Sequence, residues 1–171
     1  VNADGLLKIP KNVEGYEAGE LVDIILMRSQ EEIENTLVTI GSHDVLIDIM
    51  ANIIHKNRKM ISLSSAHVGS LGGILAIKKG ECHLAPIHLL DEESGIYNLA
   101  YLKRYLEHDD VVLIKGVKRT QGMMVPKSNP QNIQDINDLI REDVRFVNRQ
   151  RGSGTRVLLD YLLKKNNMAH L

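Results

Sequence analysis

The chain has 171 residues, 43% apolar and 25% charged, the mix expected of a soluble globular protein. Lys plus Arg (21) nearly balance Asp plus Glu (22), so there is no basic field to attract nucleic acid, and with no Trp and one Phe there is no aromatic base-stacking surface. No run approaches the ~20 consecutive apolar residues of a membrane span, the Val1-Asn2-Ala3-Asp4-Gly5 start is not a signal peptide, and the single cysteine, Cys82, excludes an internal disulfide. The expectation is a cytoplasmic chain with no nucleic-acid or membrane partner. The missing initiator methionine predicts that it is cut from a longer one.

In chain order, Leu6 to Pro10 and Leu21 to Met27 read as two short strands separated by turn residues. Two strands alone make no stable sheet in water, so this segment requires partners. Ser29 to Asn35, rich in Glu, reads as a solvated connector or a short helical turn. Leu37 to Ile40 is an apolar strand ending at Gly41-Ser42, with Ser42 as expected N-cap of a helix carrying Val45, Leu46, Ile49, Met50, Ile53 and Ile54 at helical spacing. Met60 to Ser64 is a further strand that opens into a polar loop through Gly69. Leu71 to Lys79 reads as a helix although Gly72 and Gly73 weaken it by about 1 kcal/mol each relative to alanine. Cys82 to Ile87 is expected as a third strand, and this alternation implies a parallel sheet with crossover helices.

Farther along, Tyr97 to Leu106 reads as a helix, and Val111 to Ile114, Gly122 to Val125 and Arg145 to Asn148 as strands. Asp135 is expected to cap a short helix. Ser153 to Lys165 is a strong helix with Val157, Leu158, Tyr161 and Leu162 on one face. The order suggests two α/β lobes.

In open α/β sheets ligands sit at the carboxyl ends of strands. Loops rich in small polar residues stand at four such ends: Gly41-Ser42-His43, Ser64 to Ser70, Pro86-Ile87-His88, and Asn148 to Arg156. The last is the richest. Gly152 and Gly154 let backbone approach a ligand, Ser153 and Thr155 add hydroxyls, and Arg149, Arg151 and Arg156 offer forked donors at a helix start whose dipole favours an anion. The bland reading is an N-capped helix with solvated arginines. Ser42 is equally an ordinary cap, and Asp44 must point away if Ser42 meets an anion. His43, His67 and His88 lack metal-ligand spacing and read as polar lining, Cys82 as an inert buried thiol, and Asp91-Glu92-Glu93 as a solvated turn. No nucleophile–base pair and no Walker or dinucleotide fingerprint is present. No catalytic residue and no metal site are therefore assigned.

Asn2-Ala3-Asp4-Gly5-Leu6-Leu7-Lys8-Ile9-Pro10, then Val13-Glu14-Gly15-Tyr16-Glu17-Ala18-Gly19-Glu20 and an apolar strand, resemble the closing segment of the MoeA/gephyrin family, the molybdopterin molybdenumtransferases. Residues 36–167 resemble the periplasmic-binding-protein-like domain that follows MoeA in some bacteria and archaea and is also found on DNA-binding regulators. The resemblance rests on Gly41-Ser42-His43-Asp44, Ser65-Ala66-His67-Val68-Gly69-Ser70-Leu71-Gly72-Gly73, His88-Leu89-Leu90-Asp91, Tyr97-Asn98 and the stretch Phe146 to Arg156. That last stretch is also similar to the arginine–Ser-Gly-Thr turn of tungstate-binding transport proteins.

The resemblance implies an α/β, two-lobed periplasmic-binding-protein-like fold (type II), preceded by a short β segment of the MoeA C-terminal β-barrel. The expected division is residues 1–28 for that β segment, 29–35 for a linker and 36–171 for the binding domain, with lobe 1 over 36–108 and a partial lobe 2 over 109–171. Such domains continue beyond this point, so the fold is expected to be truncated and dimerisation to cover its open edge. The implied function is noncatalytic capture of molybdate, tungstate or a molybdopterin-derived anion, none bound covalently, for attached MoeA transferase domains. Ser42, Ser65 and Ser70 would donate from the first lobe, and Arg149, Arg151, Ser153 and Thr155 from the second. The alternatives are a functional part of the molybdenumtransferase enzyme itself, although its acidic metal and nucleotide sites are absent here, or the effector-sensing domain of a transcription regulator.

Overall fold

The computed structural model describes residues 3–168, which divide between Pro86 and Ile87 into two compact units. Asn2 of the MoeA-like stretch and the last three positions of the expected binding domain lie outside the described residues. None of the described helices is long and apolar enough to cross a membrane.

The first unit opens with an antiparallel pair, β1 (Gly5–Leu7) and β2 (Ile24–Leu26), in the register Gly5↔Leu26 to Leu7↔Ile24. Both faces of this ribbon are open: the pair Leu6 and Ile25 on one face is 56% and 60% exposed, and the pair Leu7 and Ile24 on the other 43% and 46%. Arg28 fastens its base, pairing with Asp4 and donating to Thr36 Oγ1 at 3.2 Å. Helix α1 (Gln30–Glu34) follows, so the Glu-rich connector is a helical turn. It forms because Ser29 and Glu32 build a reciprocal capping box, each satisfying the other's backbone N–H.

The centre of this unit is a parallel pair, β3 (Thr36–Gly41) and β4 (Ser62–His67), joined by helix α2 (Val45–Asn57). Three expectations need correction here. The second strand extends to His67, because Thr36 to Gly41 supply backbone partners along the whole of Ser62 to His67; Ser65 therefore stands within a strand, opposite Thr39. The cap of α2 is Asp44, whose carboxylate accepts from Leu46 N at 2.9 Å, while Ser42 turns inward. Cys82 to Ile87 is not a full strand. It makes one parallel bridge, Thr39↔Leu84, since Pro86 has no N–H and His83 Nδ1 takes the Val38 N–H that a ladder would use.

Helix α3 (Ser70–Lys78) buries Ser70, Gly73, Ile74 and Ala76. Its glycine has a packing reason: a Cβ on Gly73 would stand 2.6 Å from Ile40 O, so only glycine lets the helix lie this close to β3. Ile47 and Ile74, with Thr36 and Thr39, form the buried interior.

The second unit is mostly helical. Helix α4 (Leu99–Leu106), a 3-10 turn (Ile136–Ile140) capped by Asp135, and helix α5 (Gly154–Lys165) each bury one leucine: Leu106, Leu139 and Leu163. Leu90 is a fourth and bridges Tyr97 in an antiparallel contact around the turn at Asp91. The expected strands at Val111 to Ile114, Gly122 to Val125 and Arg145 to Asn148 are irregular segments. An apolar run becomes a strand only where another supplies a ladder, and among the described residues none pairs with these.

Candidate functional site

In the first unit the carboxyl ends of β3 and β4 meet the start of α3. The carbonyl of Gly41 accepts from Val68 N at 3.0 Å and Gly69 N at 3.1 Å, and Ser42 N donates to Pro86 O at 2.8 Å. Gly41 is obligatory at this crossing, because a Cβ there would lie 2.6 Å from Pro86 O. These bonds draw Ser42 and Ser70 together across twenty-eight positions, their hydroxyls 2.6 Å apart and the residues only 6% and 7% exposed. Two of the three expected donors thus share one buried corner. Ser65 is half-buried in β4 beside Thr39, whose hydroxyl has no hydrogen-bond partner among the described residues although Thr39 is 1% exposed. Sequence reading passed over Thr39 because one threonine in an apolar strand looks like ordinary β-propensity.

The N-cap of α3 is Gly69, at φ +81°, and no side chain caps the helix. Its start carries the positive end of the helix dipole. Helix α2, by contrast, is closed by Asp44. Around this corner stand His43 and His67, in edge-to-face contact with ring centroids 4.6 Å apart. His43 Nε2 lies 3.9 Å from the Asp48 carboxylate.

In the second unit the Arg149–Thr155 turn leads into α5. Asn148 Oδ1 accepts from Arg149 N at 2.8 Å, Ser153 N donates to Gln150 O at 3.3 Å, and Gly152 takes φ +83°, a conformation glycine adopts without strain. Ser153 caps the helix, accepting from Arg156 N at 3.3 Å, and keeps its own O–H as a donor. Arg149 and Arg151 are exposed, as is Thr155. The Arg149 Nε donates to Gln150 Oε1 at 3.1 Å, whereas Arg151 has no ion pair among the described residues. Arg156 is drawn away from the turn: its Nε donates to both Asp160 carboxylate oxygens at 2.8 Å, one helical turn on. Two arginines, not three, therefore remain for a ligand. His88 is an addition to this turn, because a Cβ on Gly154 would approach its Cδ2 and Nε2 at 3.1 Å. That pairing was invisible in the sequence, where the two lie sixty-six positions apart.

Shifted ionisations belong to caps and turns away from both clusters. Backbone N–H donation from Ser29 lowers Glu32, the Ser94 hydroxyl lowers Asp91, the Gln134 and Asp135 amides lower Asp138, and the Arg141 guanidinium lowers Asp143. Burial pushes the Cys82 thiol up, in keeping with an unreactive sulfur. Among the described residues no group of three or more His, Cys, Asp or Glu side chains is placed to hold a metal ion. Both clusters present N–H, O–H or guanidinium donors, the complement of an oxyanion.

Comparison with known proteins places the chain in a family. The model of the PBP superfamily domain matches residues 51–170, and that of the MoeA C-terminal region (domain IV) matches residues 1–27. An uncharacterised protein of Bacillus subtilis (strain 168), YvgK, is 40% identical over 123 residues, which is 72% of this chain and 40% of that protein. The chain thus spans about 40% of the length of this curated relative. No solved structure matches. Matched over more than half its length, the chain belongs to the PBP superfamily domain family.

Proposed function

We propose that this chain is a noncatalytic ligand-binding domain acting in molybdenum-cofactor biosynthesis, with molybdate, tungstate or an anionic molybdopterin fragment as ligand. The observation that carries the reading is the turn before α5, where Arg149, Arg151, the Ser153 and Thr155 hydroxyls and a helix start lie within seven residues. Forked guanidinium donors and helix-terminal amides suit a tetrahedral oxyanion. Ser42, Ser65 and Ser70 are the corresponding donors proposed for the first unit. The molybdenum context rests on the similarity of residues 1–27 to the MoeA C-terminal region, which makes molybdopterin-transferase domains the proposed partners.

Titration calorimetry with molybdate, tungstate, sulfate and phosphate tests the proposal. At least one of the first two is expected to bind, and Arg149→Ala with Arg151→Ala to weaken it by about 100-fold, from ~1.5 kcal/mol per charge-assisted contact. Lys165→Ala, at the far end of α5, leaves affinity unchanged. No heat from any of the four, with molybdopterin also inert, ends this reading.

A further inference from the structure

We infer that the first unit carries a second binding site, a cavity between the ribbon base, α1 and β3 that takes a small organic amine. It shares no residue with the Arg149–Thr155 turn and does not depend on the oxyanion reading.

The cavity measures about 430 Å³ and every residue lining it belongs to the first unit. Small-molecule pockets run from about 300 to about 1,000 Å³, so this one suits a compact ligand. Its walls are set by local bonds. On the inner side Thr36 is buried; its hydroxyl donates to Glu32 O at 2.6 Å and accepts from Arg28 at 3.2 Å, which ties α1 and the ribbon base to β3. Val38 and Ile33 add apolar surface. His83 closes another wall. Its backbone N donates to Val38 O at 2.9 Å and its Nδ1 accepts from Val38 N at 3.0 Å. A neutral imidazole that accepts at one nitrogen carries its proton on the other, so Nε2 is a donor. Glu81 is fixed by the end of α3, where Gly80 N donates to Ile77 O and Glu81 N to Ala76 O, both at 2.9 Å, around Gly80 at φ +72°. Those paired bonds form a Schellman close, which sets where the chain leaves the helix.

The charges of the lining choose the ligand. Asp4, Glu34 and Glu81 face one guanidinium, Arg28, and that group is already paired with Asp4. Glu34 receives a neutral donor, Gln30 Nε2 at 2.7 Å, and has no ion pair among the described residues. Glu81 has Lys79 at 3.7 Å, an exposed pair whose lysine does not line the cavity. The surplus is negative, so an anion is disfavoured and a cation favoured. A metal ion does not fit, because among the described residues no three His, Cys, Asp or Glu side chains converge closely enough to hold one. A cation of several atoms does. Its ammonium would be held by Glu34 and Glu81, its carbon chain would lie on Val38 and Ile33, and an acceptor such as a hydroxyl would meet His83 Nε2–H.

The test is a titration of the full chain followed by amide NMR, with ethanolamine and putrescine as probes and acetate as the anionic counterpart. Saturable shifts at the Thr36 and Val38 amides are expected with at least one amine and not with acetate. Glu34→Gln and Glu81→Gln should each weaken amine binding by about fivefold, the worth of one partly exposed charge pair. Glu92→Gln, which removes the same charge from the second unit, should leave it unchanged. All three glutamates are exposed, and an unchanged thermal midpoint establishes that the variants fold. No saturable shift with either amine, equal shifts with acetate, or full affinity in the Glu34→Gln, Glu81→Gln double variant overturns this inference, and each of these results leaves the oxyanion reading untouched.

Discussion

The two units use similar apolar runs to different effect. Leu37 to Ile40, three aliphatic residues and Thr39, and Val111 to Ile114, four aliphatic residues, are both short β-branched-rich segments with strand propensity. The first lies in β3, hydrogen-bonded to β4 along six residues and bridged by Leu84 on Thr39. The second is irregular, with Val112 84% and Ile114 73% exposed. Local preference is the same; the partner is not. The comparison teaches that sheet structure in this chain is a tertiary property, whereas its caps and helices are local ones.

Truncating a buried and an exposed isoleucine sharpens that contrast most. Ile74→Ala, in the interior of the first unit, is expected to cost about 2–5 kcal/mol, and Ile114→Ala to stay within about 0.5 kcal/mol. Urea midpoints measure both, and equal losses would mean that the 111–114 run is covered in solution. A smaller effect separates the two residues that compete to cap α2. Asp44→Ala should cost about 1 kcal/mol and speed amide exchange at Leu46, while Ser42→Ala leaves that amide protected. If Ser42→Ala exposes Leu46, the cap assignment is wrong.

The smallest effect lies in the second unit, at the 3-10 turn. The amides of Gln134 and Asp135, with Arg141, hold the Asp138 carboxyl below its ordinary value of 3.8. A lowered folded-state value means that this contribution is complete above about pH 4 and is lost as pH falls through the lowered value. Asp138→Asn should flatten the acid limb of stability, read from urea midpoints at successively lower pH. An acid limb identical to that of the unsubstituted chain would remove Asp138 as its source.

Much of the helical content was legible in the residues. Asp135 caps its 3-10 turn, Ser153 caps α5, and the periodic apolar positions of α2 and α5 fall inside helices. These features depend on neighbours three or four positions away, which a sequence displays directly. The Arg149–Thr155 turn was legible for the same reason. Less so was Arg156, which the sequence offers as a third anion donor and the structure commits to Asp160. The choice between solvent, ligand and carboxylate depends on a rotamer that residue types leave open.

Composition and local spacing by themselves determined the helices, the capped starts of the 3-10 turn and of α5, the parallel strand–helix–strand order and a donor-rich turn at Arg149–Thr155. Tertiary structure alone decided which apolar runs became strands, that Asp44 and not Ser42 caps α2, and that Ser42 meets Ser70 while His88 meets Gly154. The physical reason is range. A cap or an amphipathic stripe is closed by the chain's own next turn, but a ladder, a buried hydroxyl pair or two imidazoles in edge-to-face contact needs groups twenty to seventy residues apart to arrive at one place.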